Sequence, residues 1–85
     1  MKYFYNGKLV RTSKNEYKYG LYNPSRDKIT TCSKSSKLLE PAYKTLINIY
    51  ARNYEFHKSN GEDEKAAQQL EFIKNTKIVE LEKIG

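Results

Sequence analysis

The residues of this 85-residue chain best equipped for chemistry are cations set among phenol rings. Lys2, Tyr5, Lys8, Arg11, Lys14, Lys18, Tyr22 and Lys28 all fall within the first 28 positions. A lysine or arginine neutralises a phosphate and releases its counterions, and a tyrosine ring offers a flat face on which a base can stack. These eight residues are the candidate contacts to nucleic acid. Residues 1–37 carry nine basic side chains against Glu16 and Asp27, a net +7, whereas residues 38–85 carry seven basic and eight acidic ones, a net −1. The positive excess therefore lies wholly in the N-terminal half. A basic surface that only keeps the protein dissolved is the competing explanation.

The residues that would support catalysis or metal binding are sparse. No GxxxxGK[ST] phosphate loop, GxGxxG, HExxH or GxSxG occurs in the sequence. His57 is the only histidine; it falls near a helix end, and no carboxylate or nucleophile stands out as its partner. Cys32 is the only cysteine, so neither an internal disulfide nor a zinc-binding cysteine cluster can form, and a small buried hydrophobe is the expected role. The run Glu62-Asp63-Glu64 lacks the alternating ligand spacing of a calcium loop and suits a helix start instead. The expectation is a non-enzymatic protein without metal or cofactor. There is no apolar run long enough to span a bilayer, and MKYFYNGK lacks the uninterrupted apolar segment of a signal peptide. A cytoplasmic protein with no membrane partner is expected.

The basic half reads as sheet. Asn6-Gly7 between apolar residues is a hairpin signal, because both central residues of a type I′ turn need positive φ. It predicts strands Lys2–Tyr5 and Lys8–Thr12, with Val10 opposite Tyr3 and with Arg11 on the face of Phe4. A third strand over Tyr17–Tyr22 and a fourth over Lys28–Cys32, joined by the turn NPSRD, would complete a four-strand meander. From Ser33 the period becomes helical. Leu39, Tyr43, Leu46, Ile47, Tyr50 and Tyr54 form one apolar face, with Leu46 and Ile47 expected in the core. Pro41 belongs near a helix start, placing the first turn at Leu39 or Glu40, and Asn60-Gly61 ends the helix. A second helix begins in GEDE with a stripe of Ala66, Leu70 and Ile73. KIVELEKI reads as a closing strand or as more helix; its Glu, Leu and Lys content favours helix. The expected fold is α+β, a small antiparallel β-meander (1–33) packed on an antiparallel helical hairpin (34–85), in a single domain spanning 1–85.

YFYNGKLVRTSK, YKYGLY and TTCSKSSKLLEPAYKTL together resemble small uncharacterised proteins of phages and integrated elements in low-GC Gram-positive bacteria, over about the first 48 residues. More loosely, three strands followed by a helix are similar to the arm-type DNA-binding domains of tyrosine integrases. That likeness implies Lys8, Arg11, Lys18 and Lys28 facing nucleic acid, although the long helical second half departs from it. The phage-like setting implies one of two things. One is a DNA- or RNA-binding accessory with little sequence preference. The alternative is an anti-CRISPR-like counter-defence protein that inhibits a host nuclease complex or sequesters a nucleotide signal. In that second case the helical hairpin would be the contact surface.

Overall fold

The Asn6-Gly7 turn forms as its residue types require. Asn6 has φ 51° and Gly7 φ 76°, and they join β1 (Lys2–Tyr5) to an antiparallel β2 (Lys8–Thr12). β3 (Tyr19–Asn23) and β4 (Lys28–Ser33) make a second hairpin, whose turn is closed by the Arg26 N–H donating to the Asn23 carbonyl and by a left-handed Asp27 at φ 51°. Two helices follow, α1 (Ser36–Ser59) and α2 (Asp63–Asn75), and then β5 (Lys77–Glu80) and β6 (Glu82–Ile84). This computed structural model describes residues 1–84; Gly85, the last position of the expected domain, lies outside the described residues. The fold is α+β, with the two helices packed together and seated on the second hairpin and β5.

The main departure from the sequence reading is at residues 77–84, where composition favours helix and two strands form. Each N-terminal hairpin has an edge with unpaired backbone groups, and satisfying two such edges outweighs the modest helix preference of Glu, Leu and Lys. β5 pairs with β3, placing Ile78 opposite Leu21 and Val79 opposite Gly20, and β6 pairs with β1. The meander is thereby divided between two three-stranded antiparallel sheets, ordered β2-β1-β6 and β4-β3-β5. Leu81 alone separates β5 from β6, and its N–H donates to the Lys18 carbonyl at 2.8 Å. One extended segment therefore ties the sheets together. Thr76 makes the change of direction, since its N–H and its hydroxyl both donate to the Phe72 carbonyl, at 2.9 and 2.6 Å.

A β-bulge also changes the first hairpin. Phe4 faces Leu9, but Tyr3 faces Arg11, so Val10 is the extra residue. Because side chains alternate with a period of two, one inserted residue carries Arg11 onto the face of Tyr3 instead of that of Phe4. In α1, Ser35 caps the helix by accepting from the Lys37 N–H at 3.2 Å, so the helix starts at Ser36, earlier than Pro41 suggested. Pro41 leaves only the carbonyl of exposed Lys37 without its helical donor, a group that water can reach. At the other end the Gly61 N–H bonds to the Lys58 carbonyl and the Glu62 N–H to the His57 carbonyl, with Gly61 at φ 71°, a Schellman closure that needs a left-handed residue.

The buried apolar residues are Tyr3, Leu21, Leu39, Tyr50 and Ala66. Leu46 and Ile47, expected at the centre, are only half-buried, because α2 and the second sheet meet α1 along the line of Leu39 and Tyr50. Leu70 is likewise 49% exposed, and Gln69 takes the inward position, its Oε1 accepting from Asn53 Nδ2 at 3.5 Å. The Tyr50 hydroxyl reaches across to the β3–β4 turn, donating to Asn23 Oδ1 and accepting from the Ser25 N–H at 3.4 Å, which pins the helical hairpin to the second sheet.

Candidate nucleic-acid interface

The two hairpins and the C-terminal end of α2 enclose a cleft of about 540 Å³. Tyr5, the last residue of β1, and Tyr22, in β3, enter it from opposite sheets. Their ring centroids are 6.1 Å apart and their planes are inclined by 46°. Alternation along β1 explains the position: Tyr3 and Tyr5 share a face, Tyr3 is fully buried under the 13–18 connector, and Tyr5 lies one strand repeat further out, half-buried. Lys8, paired directly with Tyr5, Lys28, at the start of β4, and Lys77, paired with Tyr22, line the same cleft. Phe72 closes the floor from α2, its ring 5.2 Å from that of Tyr50.

Two carboxylates, Asp27 and Glu71, also line the cleft. Asp27 accepts a hydrogen bond from the Tyr22 hydroxyl, and this bond raises the Tyr22 pKa above the ordinary phenol value because the carboxylate stabilises the protonated form. Asp27 thus orients Tyr22 while occupying part of its own acceptor capacity. Phenols, amides and ammonium groups of this kind can stack on a planar ring and pair with phosphate.

Four of the eight candidate contacts, Tyr5, Lys8, Tyr22 and Lys28, come together here. The other four do not. Lys2 is exposed in the centre strand of the first sheet, between Thr12 and Ile84, and Lys14 is exposed in the connector. Arg11 places its guanidinium 5.4 Å from the Tyr17 ring centre, where the bulge at Val10 has carried it. Hydrogen bonds from Asn15, then Arg11 and Ser13, hold the Tyr17 phenol below its ordinary pKa. Lys18 lies 5.6 Å from the Tyr19 ring centre and lines a separate hollow of about 390 Å³ with Lys34, Lys83 and Tyr17. There Lys83 Nζ is 3.7 Å from Glu16 Oε1, so one of its cations is already paired.

Lys77 and Phe72 were missed by the sequence reading. Taking KIVELEKI as a strand and pairing it with YKYGLY would have set Lys77 beside Tyr22; for Phe72 the only signal is its position one turn before the end of α2. His57 departs from expectation too: its Nδ1 lies 3.1 Å from Glu62 Oε1, and Lys65 Nζ lies 3.0 Å from Glu62 Oε2. These partners, His57 first, hold the Glu62 carboxyl below the usual range and brace the junction of the helices. Cys32 is half-buried, and its desolvation pushes the thiol pKa up, a change partly opposed by Arg11. Among the described residues no three His, Cys, Asp or Glu side chains are grouped to hold a metal ion, and no helix is long and apolar enough to cross a membrane. In comparisons with protein-family models, curated proteins and solved structures, the chain matches none of them.

Proposed function

We propose that this chain is a non-enzymatic binding protein that takes a single strand of DNA or RNA into the cleft between its two hairpins. The observation that carries the reading is the convergence of two tyrosine rings and three lysines on one cleft, drawn from β1, β2, β3, β4 and β5. A volume of about 540 Å³ suits a small ligand or a short length of strand, and the base must be unpaired to reach the rings. Tyr5 and Tyr22 stack bases, while Lys8, Lys28 and Lys77 neutralise phosphates. Asp27 and Glu71 repel phosphate from their side of the cleft and so restrict the path of the backbone. Since phosphate contacts position a strand without reading it, sequence preference is weak. A phage or mobile-element accessory that handles nucleic acid is the biological setting that the N-terminal resemblance suggests.

The test is fluorescence anisotropy of a labelled single strand across a salt series. Replacing Lys8, Lys28 and Lys77 together by Ala should weaken binding and reduce the slope of log K against log salt by about 0.7 for each phosphate of the single strand that is no longer neutralised. The same three changes should leave melting nearly unaltered, because the side chains at positions 8, 28 and 77 are exposed. A triple variant that binds like the parent at every salt concentration would overturn the proposal. Retention of a host protein after nuclease treatment of a lysate would favour the nuclease-inhibitor alternative.

A further inference from the structure

Helix α1 carries a second apolar line, distinct from the one that packs on the sheet. Leu38, Ala42, Thr45, Ile49, Arg52 and Phe56 recur at spacings of 4, 3, 4, 3 and 4 residues, the repeat of a coiled-coil seam. Leu38 is 70%, Ile49 46% and Phe56 63% exposed, so the line runs along the solvent side of the helix over about 27 Å. Of the six large apolar side chains that are exposed among the described residues, these three fall on this one line.

We infer that this line is the contact surface for a second copy of the chain, with the two α1 helices antiparallel across a two-fold axis near residue 47. The sequence of the line is complementary to itself in that direction. Each copy would set Leu38 against Phe56 of the other, Ala42 against Arg52 and Thr45 against Ile49, so the inner layers match a large side chain with a smaller one and the outer layers bring two large apolar side chains together. Lys37 and Glu55 lie on the same flank of the line, and the antiparallel arrangement brings Lys37 of each copy to within about 3 Å, along the helix, of the level of Glu55 of the other, forming two opposite-charge pairs. A parallel pairing would instead place Arg52 against Arg52 in the seam and leave Lys37 of one copy about 27 Å along the helices from Glu55 of the other. Charge therefore selects the antiparallel form. A seam this short buries less than the roughly 800 Å² per partner of a standard interface, so the dimer is weak and depends on concentration. It shares no residue with the cleft, which is lined by the hairpins, the C-terminal end of α2 and β5.

Sedimentation velocity over a concentration series reaching millimolar protein tests the inference. The parent should pass from monomer to dimer and no further, as closed two-fold symmetry requires. Ile49→Glu, at an exposed position that leaves the fold intact by circular dichroism, should weaken the dimer at least about tenfold, because it replaces an apolar contact beside the axis with carboxylates that face each other across it. Lys37→Glu and Glu55→Lys should each weaken it by about threefold or more, and the double exchange should restore it, since it rebuilds both pairs in reverse. A parent that stays monomeric throughout, including one that captures some other protein along α1, overturns the inference. So does a double exchange that fails to restore a dimer broken by the single ones.

Discussion

Replacing Gly20 by Ala tests how closely the two sheets are held together. Gly20 sits in β3 between Cys32 on β4 and Val79 on β5, and its φ lies outside the left-handed region. On conformational grounds alone alanine should stabilise by about 0.4–1 kcal/mol through the unfolded chain. The packing argues the reverse. An added Cβ would lie 2.5 Å from Ile29 Cγ2 and 3.2 Å from Leu81 Cδ2. Cγ2 is fixed to the branched Cβ of Ile29 and cannot swing aside, while Leu81 is the residue through which β5 passes into β6. Relieving the clash therefore displaces β4 or the segment that joins the sheets. Overpacking of this kind costs about 1–3 kcal/mol, which lowers the melting midpoint by about 5–20 °C in a domain of this size. Thermal melts of Gly20→Ala, Ile29→Ala and the double variant provide a cycle. The double variant should be more stable than the sum of the single effects predicts, because removing Cγ2 makes room for the new methyl. A Gly20→Ala protein at least as stable as the parent, or a strictly additive cycle, would refute the packing argument.

Leu39→Ala should cost about 2–5 kcal/mol, since Leu39 is 1% exposed, whereas Leu46→Ala, at a half-buried position, should cost about half as much; denaturant melts compare them, and equal losses would mean that α1 is rotated from the position described. Alkaline titration of tyrosinate absorbance should show Tyr17 ionising early and Tyr22 late, so Tyr17→Phe removes the first part of the rise and Asp27→Asn draws the last part toward the ordinary phenol range. Because Tyr22 has a raised pKa, the stability it contributes is complete below the unfolded phenol pKa and is lost as pH rises through its folded value. The Glu62 carboxyl is shifted the other way: its contribution is present above the ordinary glutamate pKa and is lost as pH falls through its depressed folded value, so Glu62→Gln should destabilise at neutral pH and have little effect at strongly acid pH.

The elements legible in the sequence were those fixed by local chemistry. Asn6-Gly7 and Asn60-Gly61 marked a hairpin and a helix end because positive φ admits few residue types, and both ends of the first hairpin fall at the expected residues. Residues 77–84 were not legible because their state is decided by two strand edges more than fifty positions away, which no local propensity reports. The bulge at Val10 was hidden for a similar reason: it depends on the pairing of Tyr3, whose hydroxyl donates to the Asn15 carbonyl at 2.7 Å and accepts from the Tyr17 N–H at 3.0 Å. The same limits apply to the candidate site. Tyr5 and Lys8 follow from the turn, and Tyr22 and Lys28 from the second hairpin, but bringing the pairs together needs the C-terminal strand that also delivers Lys77. Composition placed the positive excess in the N-terminal half, without separating Lys2, Arg11, Lys14 and Lys18 from the cleft or pointing to Lys77.

Amide chemical-shift mapping during titration with a short single-stranded oligonucleotide asks directly whether the cleft holds the strand. The predicted result is a saturable set of shifts confined to residues 5–10, 22–29 and 71–77, abolished in the variant without Lys8, Lys28 and Lys77 and nearly independent of oligonucleotide sequence. Shifts confined to the Lys18, Lys34 and Lys83 hollow or to the outer line of α1, or no saturable shifts at all, would contradict it.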